Sequence, residues 1–262
     1  MPPLFDLSNQ VAVITGASRG IGRAIALRMA EHGARVVVSS RKLEACEAVV
    51  AEIHAQGGQS SGQAIAHACN IANKPELQSL VDRALHDYGR IDTLVCNAAV
   101  NPHFGPLATI PDDAWDRIMG SNVRSNLWLA NMAAPGMAAR GAGSIIVISS
   151  IAGLRGSPTL GAYGVSKAAD MQLVRSLAVE WGPRGVRANT IAPGLVRTDF
   201  ARALWDDPAL LHARTRDTPL HRIGEPDEIA GAAILLASPA GAFITGQTIV
   251  IDGGVTAGNP AI

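Results

Sequence analysis

Tyr163 and Lys167 are the residues of this chain whose types and spacing best suit chemistry. They lie four residues apart in "AYGVSKAAD", which reads as the start of a helix, so both side chains should leave the same helix face. A phenol has an unperturbed pKa near ~10, and an adjacent ammonium favours the phenolate, so we expect Lys167 to lower the pKa of Tyr163. Such a tyrosine can give a proton to a carbonyl oxygen or take one from an alcohol. Because long chains contain such pairs by chance, the surrounding elements must support this interpretation.

The elements around this pair alternate between strand and helix patterns from end to end. Helices are predicted at 20–32, 42–56, 74–88, 111–140, 162–181 and 226–238. Strands are predicted in the apolar runs "QVAVIT", "ARVVVSS", "QAIAHAC", "IDTLVCNA", "SIIVISS", "VRANTIA" and "QTIVID". Strands that are apolar on both faces and each followed by a helix indicate a parallel sheet covered on both sides. We therefore predict an α/β fold: one Rossmann-type doubly wound domain over residues 1–262, with about seven strands.

The segment 193–224 is the longest stretch without a clear strand or helix pattern. Loops of that length inside a compact domain are commonly functional lids. We therefore expect a substrate lid around residues 194–223.

Charge and cysteine usage exclude several classes of function. Lys plus Arg equals Asp plus Glu at 22 each, so no net field recruits nucleic acid or an anionic membrane. No apolar run is long enough for a membrane span, and the N-terminal residues do not have the pattern of a signal peptide. The C-terminal "GNPAI" is not a peroxisomal or retention signal. The odd number of cysteines without CxxC spacing argues against disulfides and against a metal site. We expect a cytoplasmic protein without bound metal.

The first predicted strand runs directly into "TGASRGIG", which places Gly16, Gly20 and Gly22 before a helix. Glycines at this point let the backbone turn sharply and approach a diphosphate, while the N–H groups of the helix start supply partial positive charge. The strand before and the helix after favour a dinucleotide site over a purely structural turn, although the spacing departs from GxGxxG.

These motifs together resemble the classical short-chain dehydrogenases/reductases, and the resemblance extends over essentially the whole chain. The shared segments are "TGASRGIG", "CNAA", "GSNVRSN", "ISS", the Tyr163 and Lys167 pair, "APG" and "ITGQTIVIDGG". The family has its catalytic serine thirteen residues before the tyrosine, which selects Ser150 over Ser149. The resemblance thus implies a catalytic set of Asn122, Ser150, Tyr163 and Lys167.

The resemblance also implies roles for these residues and a set of cofactor contacts. Asn122 would hold a helix distortion and a water that relays protons through Lys167, and Thr198 would contact the nicotinamide carboxamide. Lys167 would bind the nicotinamide ribose, while Asn70 stands where the family usually has an aspartate near adenine. The implied cofactor-binding residues are Gly16, Ser18, Arg19, Gly20, Ile21, Gly22, Ser40, Arg41, Asn70, Ile71, Asn97, Ala98, Tyr163, Lys167, Pro193, Gly194, Val196 and Thr198.

Within the family, "NAAVNPHFGP", "APGLVRTDF" and the following "LW" are similar to a branch of NADP-dependent carbonyl and retinal reductases known from peroxisomes. The peroxisomal address of that branch is absent from the sequence. One departure from the family pattern is Ala99, where glycine is usual. We expect cofactor binding to survive it because alanine is small.

The end of the second strand bears on cofactor choice. An NAD enzyme is expected to carry Asp or Glu there, because a carboxylate binds the adenosine ribose diol and repels a 2′-phosphate. Here "VVVSSRK" places neutral Ser40 and then Arg41 at that point, and Arg19 of the glycine turn faces the same region. Because arginine forks match phosphate oxygens, we predict NADP(H), with NAD(H) possible. The alternative is that Arg41 only solvates a helix start.

The substrate is less well defined by the sequence. An aromatic and aliphatic lid favours a small-molecule substrate with apolar surface, although the same residues could pack the lid against the body. Arg155 could pair with an acidic substrate group or face water. The candidate substrate residues are His103, Phe104, Arg155, Leu195, Phe200, Leu204 and Trp205.

The leading hypothesis is an NADP(H)-dependent oxidoreductase that interconverts a carbonyl and an alcohol. The alternatives are an NAD-dependent alcohol dehydrogenase and, from a different class, a non-catalytic nucleotide sensor or scaffold. Apolar residues on more than one stripe of the helices at 111–140 and 162–181 predict a homotetramer, or a homodimer if only the helical interface forms.

Overall fold

The computed structural model of the protein describes residues 3–56 and 63–258. Its centre is a sheet of seven parallel strands in the order β3-β2-β1-β4-β5-β6-β7. The strands are β1 Val11–Thr15, β2 Arg35–Ser40, β3 Ala64–Ala68, β4 Thr93–Cys96, β5 Gly143–Ile148, β6 Val186–Pro193 and β7 Thr248–Ile251. All seven predicted strands are present, and the doubly wound parallel fold is confirmed.

Helices cover both faces of this sheet. They are α1 Gly20–Glu31, α2 Leu43–Ala55, α3 Lys74–Tyr88, α4 Asp112–Met119, α5 Ser125–Ala139, α6 Gly161–Trp181, α7 Pro208–Arg216 and α8 Pro226–Ala237. One buried apolar cluster joins α1, α2 and α8 to the sheet, and a second joins α3, α5 and α6 to the opposite face. This arrangement explains why strands such as "VAVIT" are buried along their whole length.

The direction of the chain across the sheet reverses at β1 and β4, which are neighbours although β2 and β3 intervene in sequence. In open parallel sheets, the crevice beyond the carboxyl ends of the strands at such a point is where ligands bind. The glycine turn after β1 and the "CNAA" segment after β4 therefore meet at one place.

The segment predicted as one helix over 111–140 contains an interruption. Between α4 and α5, residues Gly120–Arg124 form a π-helical turn. Side chains replace part of the displaced backbone pairing: the Ser125 hydroxyl donates to the Ser121 carbonyl at 2.5 Å, and the Asn126 amide donates to the Asn122 carbonyl at 2.6 Å. The helix distortion expected around Asn122 is present, and the sequence periodicity alone did not reveal it.

The segment 193–224 is more ordered than its sequence pattern predicted. It contains a 3₁₀ segment, Asp199–Leu204, and the helix α7. Thr198 and Asp207 cap these two elements through side-chain oxygens that accept backbone N–H bonds. Neither element has a fully buried residue, so the apolar periodicity that identifies longer helices is weak here.

None of the helices among the described residues is both long and apolar enough to cross a membrane. The same residues contain no cluster of three or more His, Cys, Asp or Glu side chains able to hold a metal ion. Most of the C-terminal segment in which no address was expected lies outside the described residues.

Candidate active site

A cavity of about 1420 Å³ lies beyond the carboxyl ends of the central strands. That volume is large enough for a dinucleotide together with a small substrate. It brings together most of the predicted cofactor residues: Gly16, Ser18, Arg19, Gly20, Ile21, Ser40, Arg41, Asn70, Ile71, Asn97, Ala98, Tyr163, Lys167, Pro193, Gly194, Val196 and Thr198. Gly22 and Asn122 lie behind the cavity wall and support it.

The glycine turn is built for close backbone approach. Gly16 has a φ of +64°, a conformation that side chains with a Cβ rarely adopt. Gly22 faces the Gly16 carbonyl so closely that a Cβ there would collide with it. The Asn97 amide donates to the carbonyls of Thr15 and Gly16, each at 3.0 Å, and so fixes the turn to the end of β4. The residues present therefore fit a dinucleotide diphosphate at this turn.

Ser150 and Tyr163 are the hydroxyl-bearing candidates at the other end of the cavity. Ser150 follows β5 and caps a short 3₁₀ turn, accepting a bond from the Ala152 N–H at 3.1 Å. Tyr163 lies in the first turn of α6. Ser149 is buried instead, and its hydroxyl donates to the Lys167 carbonyl at 2.8 Å. Both serines line the cavity, and the choice of Ser150 stays a prediction that the engaged Ser149 hydroxyl favours.

The acidity of Tyr163 differs from the expectation that Lys167 would lower it. Burial raises the pKa of Tyr163 above its ordinary value, because a phenolate is poorly solvated there. The Lys167 charge and the Ser150 hydroxyl oppose this effect, and the Asp170 carboxylate adds to it. The ammonium therefore reduces the cost of forming the phenolate without bringing the pKa below that of a free phenol.

Lys167 is almost completely enclosed, with its side chain only 2% exposed. Its ammonium donates to the Ile148 carbonyl at 2.8 Å and to Asp170 Oδ2 at 3.1 Å. Burial is the largest single influence and disfavours its charge, but the neighbouring acidic groups, led by the Asp170 carboxylate and followed by Tyr163, together raise the pKa of Lys167. Sequence reasoning missed Asp170. The available signal was an acidic residue three positions after the lysine, on the buried face of the same helix.

Asn122 is fully buried in the π-helical turn. Its side-chain oxygen accepts the Val100 N–H at 2.8 Å, and its amide donates to the Val100 carbonyl and the Ser166 hydroxyl, both at 3.0 Å. These bonds fasten the loop after β4 to α6. The proton relay through a water near Asn122 stays a prediction.

Four polar residues, Arg19, Ser40, Arg41 and Lys42, line the part of the cavity that we call the outer end. Arg41 is exposed and forms no ion pair within the described ranges. Arg19 approaches Asp199 of the 3₁₀ segment at 3.7 Å, with both side chains well exposed. The described lining of the whole cavity holds seven Arg or Lys residues and one acidic residue, Asp199, so it suits an anionic ligand.

The last two predicted cofactor residues are Asn70, expected near adenine, and Thr198, expected near the nicotinamide. The Asn70 side chain accepts the Ala72 N–H at 3.1 Å, which leaves its amide donors for other partners. Thr198 lies against Gly20 of the glycine turn and starts the 3₁₀ segment. Both side chains thus accept a hydrogen bond from a nearby backbone N–H and also line the cavity.

Five of the seven predicted substrate residues line the cavity: Phe104, Arg155, Leu195, Phe200 and Leu204. The Phe200 ring lies 6.2 Å from the Tyr163 ring, so this residue of the 3₁₀ segment lies beside Tyr163. His103 and Trp205 are not brought to the cavity wall. His103 Nε2 lies 3.2 Å from the Pro106 carbonyl, and the Trp205 indole donates to the Thr198 carbonyl at 3.2 Å. Arg117 and Arg214 also line the cavity and were not predicted.

The fold and the site together define a class of protein. A glycine turn at the reversal point of a doubly wound sheet suits a dinucleotide, and two hydroxyls beside a buried ammonium are chemically suited to a reacting oxygen. This combination is that of an NAD(P)-dependent oxidoreductase.

Comparison with known proteins identifies the family within this class. A family model described as "Enoyl-(Acyl carrier protein) reductase" matches residues 16–256. A protein of Bos taurus, "Dehydrogenase/reductase SDR family member 4", is 42% identical over 95% of this chain and 88% of its own length. Its Homo sapiens counterpart is 39% identical over the same shares of both chains. The chain therefore belongs to the short-chain dehydrogenase/reductase family, as its motifs predicted.

Solved structures agree with this assignment. A 7α-hydroxysteroid dehydrogenase complexed with NADH and 7-oxo glycochenodeoxycholic acid has a TM-score of 0.90 and 37% identity, covering 96% of each chain. A gluconate 5-dehydrogenase from Burkholderia cenocepacia J2315 in complex with NADP and tartrate has a TM-score of 0.90 and 34% identity, covering 97% of this chain and 98% of that one. Nicotinamide cofactors of both kinds thus occur among proteins of this fold.

Proposed function

We propose that this protein is an NADP(H)-dependent oxidoreductase that interconverts a ketone or aldehyde and the corresponding alcohol. The observation that carries the proposal is the placement of two hydroxyls, of Ser150 and Tyr163, on one cavity wall with the buried Lys167 ammonium behind them. Two donors converging on one oxygen stabilise the negative charge that builds there during reduction.

Each of these side chains has a distinct task in the proposed reaction. A nicotinamide cofactor held at the glycine turn would supply or accept the hydride. Tyr163 gives its proton to the carbonyl oxygen, or takes one from the alcohol in the reverse direction, and Ser150 donates a hydrogen bond that orients that oxygen. Lys167 stabilises the phenolate that Tyr163 becomes. Asn122 keeps the loop after β4 in register with α6 and so holds the cofactor side of the cavity.

The preference for NADP(H) is supported by the outer end. Ser40 ends β2 without a carboxylate, and Arg41 follows with no ion-pair partner among the described residues. Arg19 has only a long, exposed contact with Asp199, which costs little to exchange for a phosphate. A guanidinium that is exposed and unpaired is free to form bidentate bonds with a 2′-phosphate.

The proposed substrate class is a small carbonyl or alcohol with apolar surface. Phe104, Phe200 and Leu204 bring apolar groups to the cavity, with Phe200 beside Tyr163, and Arg155 adds one cation to the same lining. The structural neighbours bear names as different as hydroxysteroid and gluconate dehydrogenases. The proposal therefore specifies the reacting group rather than a single compound.

We also propose that the chain assembles into a homotetramer, or a homodimer at least. Leu127 on α5 and Val165 and Val179 on α6 are exposed, the last by 81%, and Phe243 is fully exposed. A second copy would bury these side chains through a two-fold interface. Light scattering coupled to gel filtration should report about four times the 27.1 kDa chain mass, or twice it for a dimer, and a monomer would contradict the proposal.

A reducing compartment such as the cytoplasm is part of the proposal. Cys46, Cys69 and Cys96 are free and buried. Burial raises the pKa of the Cys69 thiol to about 12, so its reactive thiolate is scarce. These cysteines are thus suited to packing rather than to cross-linking.

A spectrophotometric screen tests the proposed reaction. Wild-type protein is mixed with diverse ketones and aldehydes plus NADPH or NADH, and with alcohols plus the oxidised cofactors, while nicotinamide absorbance is followed. Turnover with NADPH exceeding that with NADH supports the proposal, and the reverse order favours the NAD-dependent alternative. Tight NADPH binding without turnover across the panel favours the sensor alternative.

A further inference from the structure

A buried carboxylate lies beside the catalytic lysine. Asp170 is one helical turn after Lys167 on α6, and its side chain is fully enclosed. Oδ2 accepts a bond from the Lys167 ammonium at 3.1 Å, and Oδ1 accepts one from the Asn126 amide at 2.9 Å. The same Asn126 amide donates to the Asn122 carbonyl in the π-helical turn. Asp170 therefore connects the ammonium to the distorted helix that faces it.

This pairing is consequential because neither charge is solvated. A buried ammonium without a counter-ion would lose its proton or distort its surroundings. Among the described residues, Asp170 is the one carboxylate that pairs with Lys167. An ammonium has three N–H donors, and Ile148 and Asp170 use two of them. The third is left for the cavity that Lys167 lines.

We propose that Asp170 is a positioning residue: it holds the Lys167 ammonium charged and aimed at the cavity, and it sets the pH range in which Tyr163 exchanges its proton. The second half of this inference rests on the proposed function of Tyr163. It adds a fifth polar residue to the four of the catalytic set that the sequence motifs define.

The direction of the effect follows from the charges that surround the pair. Tyr163, Lys167 and Asp170 come from α6, Cys96 faces them from β4, and the neutral amide of Asn126 comes from α5. A negative charge raises the pKa of every acid in such a cluster, and its removal lowers the pKa at which the cluster loses its first proton. Without the Asp170 charge, the first proton of the Tyr163 and Lys167 pair is therefore lost at lower pH.

The chain permits a direct measurement of this effect because it has only two tyrosines. The other one, Tyr88, has a buried hydroxyl without a hydrogen-bond partner in the described part of the chain, so Tyr88→Phe is a mild change. In the Tyr88→Phe background, ultraviolet difference absorbance of tyrosinate reports Tyr163 alone. We expect Lys167 to lose that first proton in Asp170→Asn, so the phenolate loses its stabilising ammonium and the apparent tyrosine pKa rises by at least about one unit, a tenfold change in proton affinity.

Controls separate a local charge effect from a general one. Asp82→Asn removes an exposed carboxylate of α3 in the same background and should leave the Tyr163 titration unchanged. Tyr88→Phe combined with Tyr163→Phe should show no tyrosinate signal. An Asp170→Asn titration that matches the Tyr88→Phe parent would overturn the inference.

Kinetics extend the same test to the reaction. In Asp170→Asn, the alkaline rise of alcohol oxidation should move to higher pH by the shift seen in the titration, with KM for the alcohol changed less than kcat. A loss of rate that is uniform across pH would indicate a purely structural residue and overturn the inference. The titration needs no substrate, so a shifted pKa in a protein that turns over nothing would leave this inference standing and refute the proposed function.

A second variant keeps the test decisive if Asp170→Asn folds poorly. Lys167→Gln combined with Asp170→Asn removes both buried charges while keeping similar shapes. Because the single variant leaves an unpaired ammonium and the double variant does not, the double variant should melt at the higher temperature. A double variant that is no more stable than the single one would contradict the proposed pairing.

Discussion

The two ends of the cavity hold their charges in opposite ways. At the catalytic end, Lys167 and Asp170 are both buried and neutralise each other within the protein. At the outer end, Arg41 is exposed without an ion-pair partner among the described residues, and Arg19 has one long contact. A buried charge needs a partner within the protein for the fold to be stable, whereas an exposed charge is solvated by water and remains available to bind a ligand. Substitutions should therefore alter chemistry and stability at the first end, and ligand affinity alone at the second.

The largest effect is expected at the catalytic end. Tyr163→Phe removes one hydroxyl and keeps the ring, so turnover should fall at least ~100-fold while NADPH affinity changes little. Steady-state kinetics and fluorescence titration measure the two quantities separately. The matched control, Tyr88→Phe, removes the other tyrosine hydroxyl and should retain activity. Near-normal turnover of Tyr163→Phe would refute the assigned proton donor.

The outer end should respond through affinity. Ser40→Asp combined with Arg41→Ala adds a repelling carboxylate and removes a charge-assisted contact, so NADPH binding should weaken by about 2–3 kcal/mol. NADH binding, measured by the same calorimetric titration, should change much less, and the melting temperature should stay the same. Arg83→Ala on α3 serves as the control for loss of an exposed arginine. Equal weakening of both cofactors would contradict a 2′-phosphate site here.

Substitution of the buried Asn122 should lower the stability of the protein, unlike the substitutions at the outer end. Asn122→Ala removes three buried hydrogen bonds and leaves the Val100 N–H unpaired, so we expect a loss of about 2 kcal/mol in the free energy of unfolding. Asn73→Ala is the matched control, because this residue makes one exposed capping bond to the Glu76 N–H of α3. Urea denaturation should rank Asn122→Ala as the more damaging change. The reverse ranking would argue against a supporting role for Asn122.

The smallest effect is expected at Glu228, an exposed residue in the first turn of α8. The Arg222 guanidinium and the Glu225 N–H lower the pKa of Glu228 to about 2, below the unfolded value. Its contribution to the free energy of unfolding is therefore fully present above the pKa of Glu228 in the unfolded chain, and it is lost as pH falls through about 2. Glu228→Gln should cost about 0.5 kcal/mol near neutral pH, since solvent screens exposed pairs. Thermal melts should show this difference shrinking with acid; a difference that grows with acid would contradict the assignment.

The same contrast explains what the sequence could reveal. Every strand was predictable because buried parallel strands are continuous apolar runs, and Tyr163, Lys167 and the glycine turn were predictable because their spacing is fixed by one helix or one turn. Asp170 was missed because its importance depends on burial and on Asn126, which is distant in sequence. The π-helical turn was expected only from the family resemblance, and α7 was missed, because side-chain bonds and caps, rather than apolar periodicity, determine them.

Transfer of an isotopic label tests the central claim most directly. Reduced NADP carrying deuterium at the transferable position is incubated with wild-type protein and a carbonyl compound that the screen has identified. The account predicts an alcohol with one deuterium on the former carbonyl carbon, formed by wild type and at least ~100-fold more slowly by Tyr163→Phe. An unlabelled alcohol, or equal rates of labelled product from both proteins, would contradict it.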